Sequence, residues 1–93
     1  MFGRKKRLSQ PHKRRAVQVA KDKFPLAQGN KVEFERLVRE DRRTKAIDPA
    51  LIALFIQVIM AVYTYFMNRQ VQGKPLTSQS DDEIYLASIR FEE

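Results

Sequence analysis

Residues 49–68 read PALIALFIQVIMAVYTYFMN, a run of 20 residues without a charge, set between Asp48 and Arg69. Within 50–67 the only strongly polar side chains are Gln57 and Thr64. Asp48 followed by Pro49 reads as a helix start. The carboxylate can accept from the orphan N–H groups, and proline at the first helical position gives up no needed donor. Twenty helical residues span roughly 30 Å, which matches the hydrocarbon thickness of a bilayer. The run therefore predicts a transmembrane helix over 47–70. Tyr63, Tyr65 and Phe66 gather at its end, where an aromatic belt would meet water.

At about 100° per residue the helix has two sides. Ala50, Ala53, Gln57, Ala61, Thr64 and Asn68 form a narrow stripe, and Ile52, Phe55, Ile56, Ile59, Tyr63 and Phe66 lie opposite. Small residues let helices approach closely in lipid, and a mid-membrane glutamine seeks a hydrogen-bonding partner. Ala50, Ala53, Gln57, Ala61 and Thr64 are thus the candidate helix–helix contact, with a second copy or with another protein. The simpler account is a monomeric span in which Gln57 bonds to its own backbone.

A soluble chain of this length could also bury one very apolar helix, provided other apolar helices surround it. The remaining segments offer only short apolar faces. A soluble helical oligomer with a buried 49–68 helix is therefore the alternative to a span.

Charge is uneven around the run. The net charge is +7 over 93 residues. Residues 1–46 hold 15 Lys or Arg against 5 Asp or Glu, whereas residues 68–93 hold 3 against 5. Five cations fall in the 15 residues before Pro49 and two in the 15 after Asn68. The positive-inside bias then puts the N-terminal part in the cytoplasm, or in the interior of a membrane-containing particle.

Upstream, 1–15 carries two basic clusters, Arg4-Lys5-Lys6-Arg7 and Lys13-Arg14-Arg15. No apolar run follows within the first 30 residues, so a secretory signal peptide is not expected. Residues 1–30 are read as a basic, largely flexible arm, with a weak short helix over 16–24 that Pro25 limits. Gln28-Gly29-Asn30 reads as a turn. Residues 31–46 form a basic amphipathic helix with Phe34, Leu37, Val38 and Asp41 on one side; Asn30 and Glu33 have capping-box spacing. Arg4, Lys5, Lys6, Arg7, Lys13, Arg14, Arg15, Arg42 and Arg43 are the candidate contacts to anionic lipid or to nucleic-acid phosphate. The paired clusters also fit a nuclear-localisation-like address.

Downstream, 71–80 is a linker by composition. In 81–93, Ser80 and Glu83 have capping-box spacing, and IYLASIRF fits a helix or a strand; the cap favours a helix. Its apolar residues suggest docking. Asp81-Asp82-Glu83 reads as solvated charge at a helix start.

Nothing points to catalysis. The chain has no cysteine and one histidine, His12. A metal cluster, a nucleophilic triad and a phosphate-cradling glycine loop are all unexpected, with glycine only at 3, 29 and 73. No cofactor and no small-molecule substrate are expected. The sequence predicts an all-α, single-pass membrane protein, a structural or accessory subunit whose partners are the bilayer and another transmembrane helix. The alternatives are a membrane-anchored protein that contacts nucleic acid, such as a minor virion component, and the soluble oligomer.

Overall fold

A computed structural model describes residues 9–71, 73 and 80–92, with backbone alone at 91 and 92. Every regular element among the described residues is a helix. The order is α1 (Gln10–Ala27), α2 (Lys31–Glu40), α3 (Arg42–Lys45), α4 (Pro49–Val71) and α5 (Asp81–Glu92). The apolar run of the sequence is α4, and α1, α2 and α5 pack around it.

Helix α1 is the largest departure from expectation. The arm predicted to be flexible over 1–30 is helical from Gln10 onward. The Ser9 hydroxyl accepts from the His12 N–H at 3.4 Å, and Pro11 occupies the first turn. Ala16, Val17, Val19, Ala20, Phe24 and Ala27 are all buried, most of them completely. Alanines at 16, 20 and 27 have no side chain beyond Cβ, so α1 can lie close against α4. Pro25 was expected to end the helix, yet α1 runs through it to Ala27. One helical hydrogen bond is lost there. Phe24 and Ala27, buried on either side of Pro25, hold the last turn against the core.

The connection to α2 is a tight turn as predicted. Gln28 adopts the left-handed region at φ +52° and Gly29 follows at φ +81°. Asn30 then caps α2, its side chain accepting from the Glu33 N–H at 3.1 Å. The reciprocal half of the capping box does not form, since the Glu33 carboxylate pairs with Arg36 instead.

The helix expected over 31–46 is not continuous. Asp41 leaves the helical region at ψ 137° and its carboxylate accepts from the Arg43 N–H at 2.7 Å, starting α3. Asp41 therefore does not extend the Phe34–Val38 apolar side. It is a polar hinge because an aspartate bonds its own downstream N–H more readily than it buries an unpaired charge.

Asp48 starts α4 as expected, accepting from the Ala50 N–H at 2.9 Å. Phe55, Ile56, Ile59, Val62, Tyr63, Tyr65 and Phe66 are buried. The aromatic residues expected at a bilayer boundary lie inside the bundle. The Phe24 ring meets Tyr63 and Phe66 edge-on at 5.7 and 5.4 Å, and Phe34 lies 4.5 Å from Tyr63. Each such fully buried side chain stabilises the fold by about 1.5–3 kcal/mol.

The C-terminal segment is a helix, and the strand reading falls. The Ser80 N–H donates to Glu83 Oε1 at 2.8 Å while the Glu83 N–H donates to Ser80 Oγ at 3.3 Å, a complete capping box. Ile84 and Ser88 are buried, and Ser88 Oγ donates to the Ile84 carbonyl at 2.7 Å. The linker predicted over 71–80 lies mostly outside the described residues.

Candidate interaction surfaces

Two surfaces gather the residues singled out in the sequence. The first is the open side of α4. Its buried residues lie on one half of the helix circumference, and Ala50, Ala53 and Gln57 are exposed on the other. Ala61 and Thr64 are half-buried on the same stripe. Thr64 Oγ1 donates to the Met60 carbonyl at 3.1 Å, so its hydroxyl is satisfied within its own helix. Beside the stripe, α2 and α4 border an open groove of about 530 Å³ lined by Glu35 and Arg39 of α2 and by Pro49, Ile52, Ala53, Ile56, Gln57 and Met60 of α4. Glu35 and Arg39 are ion-paired at 2.9 Å. The groove was not foreseen, because it depends on the packing of α2 beside α4.

The second surface is basic, and much of it is already engaged. Asp82 accepts from Gln10 Nε2 at 3.1 Å and from Arg14 Nε and Nη2 at 3.1 and 3.2 Å. Asp81 accepts from Gln18 Nε2 at 3.3 Å and from Lys21 Nζ at 3.0 Å. The Lys13 ammonium sits 5.0 Å from the centre of the Tyr85 ring. The acids at the start of α5, expected to be solvated charge, thus dock onto α1. The Arg14 guanidinium holds the Asp82 carboxyl below its ordinary value. Gln10, Gln18 and Lys21 were missed in the sequence, since nothing local marks them as partners of residues 60 or more positions away.

A separate ionic hub joins α1 to the α2–α3 hinge. Arg43 reaches Asp41 and Asp22, each at 2.9 Å, and Lys23 reaches Asp41 at 3.4 Å. Hydrogen bonds from Arg43 hold the Asp41 carboxyl well below the usual carboxylate range, and the same pairing raises the Arg43 value. Of the candidate phosphate contacts, Lys13, Arg14 and Arg43 therefore have internal partners. Arg15 and Arg42 are exposed, with no ion pair among the described residues. Arg4, Lys5, Lys6 and Arg7 lie outside the described residues.

Among the described residues no three His, Cys, Asp or Glu side chains gather to hold a metal ion. No known protein family matches the chain, and no curated protein or solved structure is similar to it.

Proposed function

We propose that this chain is a structural or accessory subunit without catalytic activity, working as a small helical bundle that self-associates through the open side of α4. The observation that carries the reading is the uncharged stripe left uncovered there. Ala50, Ala53, Gln57, Ala61 and Thr64 stand at offsets −7, −4, 0, +4 and +7 from Gln57. An antiparallel twofold pairing would bring Ala53 against Ala61 and Gln57 against its own copy. A glutamine amide donates and accepts, so two of them can bond reciprocally. Small residues on both sides allow the close approach such a pair needs.

Light scattering after size exclusion tests this, comparing the natural chain with Ala53→Glu. The expected result is a dimer that Ala53→Glu converts to a monomer, since each new carboxylate would be buried unpaired against Ala61 of the other copy. A natural chain that stays monomeric at high micromolar concentration would end the proposal.

One observation favours a second reading. Helix α4, Pro49–Val71, is long and apolar enough to cross a membrane, with a mean hydropathy of 2.1 over its most apolar stretch. A spanning α4 could not keep its present neighbours. The charged Glu35–Arg39 pair lines the same groove as the first half of α4, Pro49 to Met60, part of which a bilayer would surround with hydrocarbon, where charge is costly. Insertion would require α1, α2 and α5 to leave α4. Alkaline carbonate extraction separates the readings: retention in the membrane pellet supports the span, for which the charge bias would put the N-terminus on the cytoplasmic side or in a particle interior, and release supports the bundle.

A further inference from the structure

We propose that the α1 face carrying Gln10, Arg14, Gln18 and Lys21 is a binding surface for nucleic-acid phosphates, and that the acidic start of α5 occupies it as an internal competitor. The inference stands apart from self-association through α4.

Two anion sockets lie along this face, each built from one amide and one cation. Gln10 and Arg14 hold the Asp82 carboxylate, and Gln18 and Lys21 hold that of Asp81. The four residues follow the spacing i, i+4, i+8 and i+11, one stripe of about 16 Å on a helix. Phosphate oxygens in nucleic-acid complexes are met by the same donor types, Arg, Lys and Gln among them. A guanidinium fork fits phosphate as well as carboxylate. Lys13 sits over the Tyr85 ring of α5, and Arg15 is exposed one residue on from Arg14.

Of the two contacts that fill the sockets, Lys21–Asp81 is the more shielded, at 33 % and 22 % exposed, and Arg14–Asp82 is the one open to competition. The Arg14 and Asp82 side chains are 54 % and 46 % exposed, so water and salt screen the pair. Ile84 and Ser88 are the buried residues of α5 among those described, while Leu86 and Ile89 remain exposed. A polyanion that offers many phosphates releases its own counterions on binding and can displace two carboxylates. A lipid surface fits less well. The apolar side of α1 is spent on the core, which leaves this helix no apolar face to enter a bilayer interface.

The test uses the full chain and a mixed-sequence DNA duplex of about 20 base pairs, read by fluorescence anisotropy across a salt series. Asp81→Asn with Asp82→Asn removes both carboxylate charges from the sockets and leaves a neutral amide that competes less well with phosphate. Glu92→Gln with Glu93→Gln removes the same charge from the other end of the C-terminal segment and serves as the control. The expected result is roughly tenfold tighter binding by the first variant than by the second at low salt, with a log–log salt slope steeper by about 2. In the natural chain, saturating duplex should also abolish hydrogen-exchange protection of the α5 amides. Equal binding by the two variants overturns the proposal. So does α5 protection that survives saturating duplex, or that is lost to phosphatidylserine vesicles and not to DNA.

Discussion

Asp41 ends α2, starts α3, and through Lys23 ties both to α1. Its side chain is 8 % exposed and lies 3.4 Å from Lys23 Nζ. Arg43, held by the same carboxylate, reaches on to Asp22 and closes a four-residue hub.

The hub predicts how acid unfolds the protein. Hydrogen bonds from Arg43 lower the Asp41 value in the folded state. A carboxyl with a depressed native value stabilises the fold fully above its unfolded value of about 3.9, and loses that contribution as the pH falls further toward the native value. Denaturant melts at stepped pH should show stability falling below about pH 4. Asp41→Asn should cost about 1–3 kcal/mol at neutral pH and flatten this acid limb. An unchanged acid limb in the variant would remove Asp41 from the account.

Phe34 is completely buried and its ring lies 4.5 Å from Tyr63. Phe34→Ala should cost about 3–5 kcal/mol in denaturant unfolding, since the site is bounded by helices that cannot close on the hole. Leu86→Ala, at a residue 54 % exposed, should stay within about 0.5 kcal/mol of the natural chain.

Thr44 is 2 % exposed and its hydroxyl has no partner among the described residues. Thr44→Val keeps the shape and removes a buried polar group that makes no bond. It should leave stability unchanged or raise it by up to about 1 kcal/mol. A clear loss in thermal melting would reveal a bond that the hydroxyl makes.

Ser80 supplies one half of the capping box that begins α5. Ser80→Ala should cost about 1 kcal/mol of helix stability. Because Ile84 and Ser88 are the buried side chains among the described residues of α5, the loss should fall on α5 alone. Amide exchange resolved by residue should quicken over α5 and stay unchanged in α4.

The sequence made some of this legible and hid the rest for physical reasons. Asp48-Pro49 and the uncharged run sufficed to define α4, and its two sides followed from the period alone. The Ser80–Glu83 spacing identified α5 as a helix, since a cap is a local device. What covers α4 was not legible. Val17, Ala20 and Phe24 are sparse beside the five Lys and Arg of α1, and alanine carries little hydrophobic signal even where it permits the closest packing. Period places Asp41 on the side of Phe34 and Val38, where it cuts the apolar patch short, but period ignores the bond an aspartate makes two residues on, which ends the helix there. The sockets for Asp81 and Asp82 join residues at opposite ends of the chain, and no local pattern reports such a pairing.

The order of the helices along the chain has a consequence for biosynthesis. Helices α1 and α2, which cover α4 through Phe24 and Phe34, are both translated before it. When the apolar stretch leaves the ribosome, the surfaces that shield it from water, from chaperones and from the insertion machinery are already outside. Synthesis in the reverse order would present that stretch bare. The nascent chain thus carries its own escort, and whether α4 reaches its neighbours or a bilayer first is a race the N-terminal helices enter with a head start.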